Sequence, residues 1–208
     1  MIAGSVAVAA MAFILIAAVP NPLHTGSPAS SVKEAVAALD ARHYHTARRI
    51  LDPLATAGNA DAETWIGYMD QEGLGADRNV TQAVTWFTKA SASGSAEADR
   101  RLGQVYLDGR GVLQNVATAR QWLQLAADRG DAPAQRMLGE LFMRGIGVAK
   151  DPAQAYAWLA VAASRGDTMA AQERDALLPS LPPASMSHAE DLAQQMLASI
   201  AAPQAAKS

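Results

Sequence analysis

The chain has 208 residues, half of them hydrophobic and only 5% aromatic, with 17 basic and 20 acidic side chains and a formal charge of −3. That length admits one domain or a short repeat array, and an aliphatic, alanine-rich composition implies a core built from small side chains in close contact. The mixed charge provides no basic patch for a phosphate backbone, which argues against nucleic acid as a partner; with no cysteine in the sequence, disulfides and thiolate metal sites are excluded while the compartment stays open.

Residues 1–20, MIAGSVAVAAMAFILIAAVP, carry no charged side chain. The run lies at the short end of what spans a bilayer. It reads as a signal peptide, with Ile16-Ala17-Ala18 offering cleavage after Ala18. A retained membrane anchor is the alternative. Either way the remainder is expected to be exported, as a periplasmic or secreted protein or one tethered to the inner membrane. Residues 21–31, NPLHTGSPASS, mix Pro, Gly and Ser without hydrophobic periodicity and read as a linker.

From residue 32 onward the pattern is helical. Val32, Val36 and Leu39 suit one short helix, and Ala47, Ile50, Leu51 and Leu54 suit another, in which Pro53 predicts a kink. Then the chain repeats itself. Gly58, Gly94, Gly130 and Gly166 are spaced by 36 residues, and Trp86, Trp122 and Trp158 keep the same interval. So do the glycine sets Gly67, Gly103, Gly139; Gly73, Gly109, Gly145; and Gly75, Gly111, Gly147. Such periodicity is the mark of a stacked array. Three full units run 59–94, 95–130 and 131–166.

Each unit reads as a helical hairpin. Asn59, Ser95 and Asp131 are placed to cap first helices over 60–72, 96–108 and 132–144, which Gly73, Gly109 and Gly145 end. Asn79, Asn115 and Asp151 cap second helices that run to about 93, 129 and 165, with Pro152 at the first helical position of the third. Ala83, Trp86, Ala90 and their counterparts in the next two units share one helical face, so the tryptophan is expected to fill the space that the alanines leave. A glycine inside each first helix implies close helix approach. Past Gly166, Asp167 caps a further helix to about 178; PSLPPASM breaks the chain; Ser187 with Glu190 forms a capping box for a last helix over 188–200, with Leu192, Met196 and Ile200 on one face. Residues 202–208 read as a disordered tail.

The segments LGQVYLDGRGV, ATARQWLQLAADRG and LGELFMRGIGVAKDPAQAYAWLAVAASRG resemble Sel1-like repeats, relatives of the tetratricopeptide repeat. The resemblance covers 59–166. It implies an all-α, right-handed α-solenoid of antiparallel helix pairs, with the sequences at 32–58 and 167–201 as divergent caps. Unit one departs from the pattern, with Asp70 where the others have Tyr106 and Phe142, and Ala76 where they have Val112 and Val148.

No constellation argues for catalysis. His43 and His45 flank Tyr44 without a third ligand nearby, and neither a G-x-S-x-G nor an H-E-x-x-H motif occurs. No cofactor or metal is implied. What varies from unit to unit is one stripe of the first helices: Asp61, Trp65, Tyr68, Glu72; Glu97, Arg101, Gln104, Asp108; Pro133, Met137, Glu140, Arg144. Steps of four, three and four place each set on one face. The resemblance implies that first helices line a concave surface on which peptides bind. The candidate partner-binding residues are therefore Trp65, Tyr68, Glu72, Arg101, Gln104, Asp108, Met137, Glu140 and Arg144. Trp65 is either an anchor for that partner or packing against the preceding half-unit. The expected function is a non-enzymatic protein-interaction scaffold of the cell envelope. The alternatives are an envelope hydrolase akin to the β-lactamase-like, cysteine-rich relatives, whose cysteines this chain lacks, and a membrane-anchored scaffold that recruits envelope enzymes.

Overall fold

The structure, a computed structural model, describes residues 27–201. The reading of 1–20 as signal or anchor and of 202–208 as a tail lies outside the described residues. Within them the regular structure is helical: α1 (Pro28–Asp40), α2 (Tyr44–Thr56), α3 (Ala60–Glu72), α4 (Val80–Ala92), α5 (Ala96–Asp108), α6 (Val116–Asp128), α7 (Ala132–Arg144), α8 (Pro152–Ser164), α9 (Thr168–Leu177), a 3₁₀ turn at Leu178–Ser180, and α10 (Pro183–Ala201). Consecutive helices pack against each other from α1 to α9, closest within the hairpins α3–α4, α5–α6 and α7–α8. The architecture is an all-α solenoid.

Local chemistry sets these boundaries. The side chains of Asn59, Ser95 and Asp131 accept from the amides of Ala62, Ala98 and Ala134 at 2.9, 3.2 and 2.7 Å. Asn79, Asn115 and Asp151 cap the second helices in the same way. Each such cap contributes about 1 kcal/mol. Gly109 ends α5 in the left-handed region at φ 66°, where a side chain would be strained. At the other turn the amides of Ser95, Asp131 and Asp167 reach back to the carbonyls of Ala90, Ala126 and Ala162, the six-to-one bond of a Schellman closure.

Two expectations are corrected. Residues 28–31, expected as linker, form the first turn of α1, because Ser27 caps it and Pro28 takes the first position. Pro53 lies within α2, which runs on to Thr56. Ser187 and Glu190 lie inside α10 and form no capping box at its start, since the helix begins a turn earlier, with the Met186 amide donating to the Pro182 carbonyl at 3.0 Å.

The core also revises the role of the tryptophans. The side chain that seals each hairpin is the next residue: Phe87, Leu123 and Leu159 are fully buried. Leu123 lies so close to α5 that a β-carbon on Gly103 would stand 2.6 Å from its Cγ, and Gly67 and Gly139 face Phe87 and Leu159 likewise. Trp86 and Trp122 are half-buried and pack toward the cluster on their N-terminal side, while Trp158 is buried. The indoles therefore flank the seal, and the hairpin itself closes on glycine.

Polar contacts repeat with the same period. Thr64 meets Ser95 at 3.0 Å, and Arg100 and Arg136 donate to Asp131 and Asp167, each at 3.2 Å. In each case a first-helix side chain grips the cap of the next unit, so one residue both starts a helix and fastens it to its neighbour. Asp70 is explained by its partner Arg48, which donates to it at 2.8 Å. Where the first unit uses this ion pair, the second places Val84 and Tyr106 against one apolar cluster.

Candidate functional site

The stripe residues fall into three positions per first helix, and the structure separates them. Trp65, Arg101 and Met137 are half-buried and lean on what precedes them. Trp65 packs against the cluster of α1, α2 and α3 and keeps part of its surface open. Met137 packs against the cluster that holds Leu138 and Trp158, likewise half-buried. Arg101 lies 4.4 Å from the centre of the Tyr68 ring and donates from Nε and NH2 to Glu97 Oε1 at 3.0 and 2.7 Å. Its guanidinium is held between an aromatic face and a carboxylate. Tyr68 in turn meets Trp65 edge to face, ring centres 5.8 Å apart. Trp65, Tyr68, Arg101 and Glu97 thus form one continuous surface across the junction of the first two units.

The more exposed stripe positions sit further along the helices. Glu72, Gln104, Asp108 and Arg144 are exposed. Glu72, Gln104 and Asp108 line a cavity of about 360 Å³ between the C-terminal ends of α3 and α5, together with Gln71, Arg78 and Arg110. Its walls are partly fixed: Arg78 donates to the Gln71 carbonyl at 2.8 Å, and the Gln71 amide to Glu72 at 2.9 Å. The cavity thus offers two carboxylates and two guanidinium groups, suited to a polar, charged segment of a partner. In the third unit Glu140 pairs with Arg136, opposite Glu173, whose pKa is raised by burial and then by the neighbouring Glu140 carboxylate.

The sequence did not reveal that the stripe is split between inter-unit packing and open surface; the signal was present in the size and apolarity of Trp65 and Met137. It also missed Arg78 and Arg110, which come from the turns and not from a helical face. His43 and His45 are exposed around a shallow depression with Arg42, the one non-glycine residue among those described with positive φ, at 60°. No group of three potential metal ligands occurs among the described residues. None of their helices is long and apolar enough to cross a membrane.

Comparison with known proteins agrees with this architecture. The Sel1 repeat family model matches residues 60–95, 96–131 and 132–167, one residue on from the units marked by the glycine period. Among solved structures, a Sel1 repeat protein from Oxalobacter formigenes is 31% identical over 69% of this chain and 59% of its own, with a TM-score of 0.63. A second, c5321, a protective antigen of uropathogenic Escherichia coli with an SLR fold, is similar in fold at 23% identity and a TM-score of 0.52, over 85% of this chain and 46% of its own. This chain thus spans about half the length of each neighbour. No curated protein matches it. With three consecutive matched units making up more than half of its residues, the chain belongs to the Sel1 repeat family.

Proposed function

We propose that the chain is a non-enzymatic scaffold that holds a protein or peptide along the concave stripe of α3, α5 and α7. Sel1-like solenoids in general mediate protein–protein interaction, which supports the class of function. One observation carries the finer reading: the exposed part of the stripe changes chemistry from unit to unit, while around it the glycines are fixed, each cap is an Asn, Ser or Asp, and each sealing residue is a large apolar side chain. A surface under purely structural constraint would repeat with the rest. The Tyr68–Arg101 surface and the adjoining cavity of about 360 Å³ give a partner both an aromatic platform and charged groups. The apolar residues 1–20 support a place in the cell envelope, by export or by anchoring.

A photoreactive residue at Gln104, exposed on the stripe, and another at Gln172, exposed on α9 away from it, test the reading. A specific adduct from Gln104 alone is expected; equal labelling, or none, overturns it. N-terminal sequencing of the protein from soluble and membrane fractions tests the address. A start after Ala18 is expected, and an intact Met1 in the membrane fraction identifies an anchored scaffold instead. No turnover of a chromogenic β-lactam above background is expected; turnover would favour the hydrolase.

A further inference from the structure

The helix α10 does not continue the stack. It packs along α8, and Met196 and Ile200 join the cluster that contains Trp158. Beneath it α8 buries Ala153, Ala157 and Val161, a row four residues apart on the side away from α7, and α10 brings to it Ala189 and Ala193, also buried. Small residues on both helices permit this close approach. In α4 the same register holds Thr81, Thr85 and Lys89, all exposed, with Trp86 in the place of Trp158. There the row is uncovered. A groove of about 370 Å³ runs over it, lined by these four residues with Asn79 and Gln82.

We propose that this face of α4 is a second helix seat, and that its occupant is an amphipathic helix of a partner protein carrying a carboxylate opposite Lys89. The chain itself shows what covers this register, because its own α10 does so two units further on. The Thr85 hydroxyl donates to the Thr81 carbonyl at 3.1 Å, so it is satisfied within the helix and its methyl group can do what Ala157 does in α8. The Trp86 ring carries Lys89 Nζ at 4.2 Å from its centre. Lys89 has no carboxylate within ion-pair distance among the described residues. An aromatic ring with an ammonium over its face, and no carboxylate in ion-pair distance of that ammonium, suits a partner residue pair, one apolar and one acidic. The exchange of Ala, Ala and Val for Thr, Thr and Lys disfavours the α10 of a second copy, whose apolar face would have to cover that ammonium.

The test is a photoreactive residue at Thr85 in the full chain, expressed in its own cells, with the linked segment identified by mass spectrometry. The expected adduct is to a segment of another protein with apolar residues at helical spacing and an Asp or Glu one turn away. Lys89→Gln should lower its yield about tenfold and Lys89→Arg should preserve it, with each variant crosslinked well below its own melting temperature. An adduct to a second copy, to residues 1–27 of the same chain, or to no specific segment overturns the proposal, as does an adduct indifferent to Lys89→Gln. Loss of the Gln104 adduct leaves this result untouched, so the two surfaces are judged separately.

Discussion

Glu63, Asp99 and Gln135 occupy one register, and all three are buried. They meet burial differently. Asp99 pairs with Arg129, which also donates to the Ser91 carbonyl at 3.0 Å. Gln135 is neutral and donates to the Ala127 carbonyl at 3.0 Å. In the first unit Ser93 stands in the register of Arg129, so Glu63 has no guanidinium, and its Oε2 is buried without a partner. Burial raises its pKa above the ordinary 4.5, and Lys89 opposes this only in part. Glu63→Gln should reproduce the third unit's solution, with the amide donating to the carbonyl of Ala55, eight residues back as Ala127 is from Gln135. An oxygen stays unpaired in the variant, as Gln135 Oε1 does, but the buried charge is removed and a hydrogen bond worth about 1 kcal/mol is formed, so the variant should be more stable by about 1 kcal/mol at neutral pH. At about 2–4 °C per kcal/mol for a domain of this size, that is a rise of about 2–4 °C in melting temperature. The sign with pH follows from the raised pKa. The folded state binds the proton more tightly than the unfolded chain, so the wild type loses stability as pH rises from 4.5 through the folded pKa, and the loss is complete above it. Thermal melts followed by circular dichroism should therefore separate the two proteins at pH 7.5 and bring them close together at pH 4. A variant no more stable than wild type at pH 7.5, or equally favoured at both pH values, would refute the reasoning.

Three further outcomes are expected. Gly103→Ala, which on an open helix would gain about 1 kcal/mol, should instead lower the urea midpoint, because the new methyl would stand 2.6 Å from Leu123 Cγ and 3.2 Å from the Ala119 carbonyl, and overpacking costs about 1–3 kcal/mol; a raised midpoint would show that the hairpin has slack. Arg136→Ala removes the grip on the Asp167 cap and leaves Glu140 facing Glu173, so amide exchange should quicken in α9 well before it does in α3; uniform protection would contradict a local clamp. Truncation after Ser180 uncovers Ala153, Ala157, Val161 and Trp158, and should red-shift tryptophan emission and promote concentration-dependent association; unchanged emission would mean that α10 does not cover the indole.

The hairpins were legible because their signals are local. An Asn, Ser or Asp before an alanine-rich run, and a glycine after it, describe caps whose partners lie within four residues, and the repeat confirmed each signal several times over. What was not legible joins residues about thirty positions apart. Nothing in the sequence of Arg100 or Arg136 says that its carboxylate is the next unit's cap, although the covariation of Thr64–Ser95 with the two Arg–Asp pairs holds that information once the register is known. Periodicity also misassigned the sealing residue. It singled out tryptophan because tryptophan is rare and invariant, whereas Phe87, Leu123 and Leu159 vary in identity at a place where only bulk is needed.

The candidate site shows the same division. Face periodicity found the stripe but could not say which of its members were already engaged, because Trp65 and Met137 meet clusters drawn from several helices and Arg101 meets both Tyr68 and its own Glu97. The positions a solenoid leaves free are those whose side chains no neighbouring element engages in their own unit, and they can be read only after the inter-unit contacts are subtracted. On the first helices this leaves Glu72, Gln104, Asp108 and Arg144; on the second it leaves the row of Thr81, Thr85 and Lys89. That α8 fills the latter row with Ala153, Ala157 and Val161 and receives α10 there shows how a repeat specialises: the register that is surface in one unit becomes interior in another by three substitutions, with the glycines unchanged and Asp in place of Asn at both caps. Capacity to bind in this fold therefore resides in registers and not in units, and each register is tuned by side chains that the hairpin does not need in order to fold.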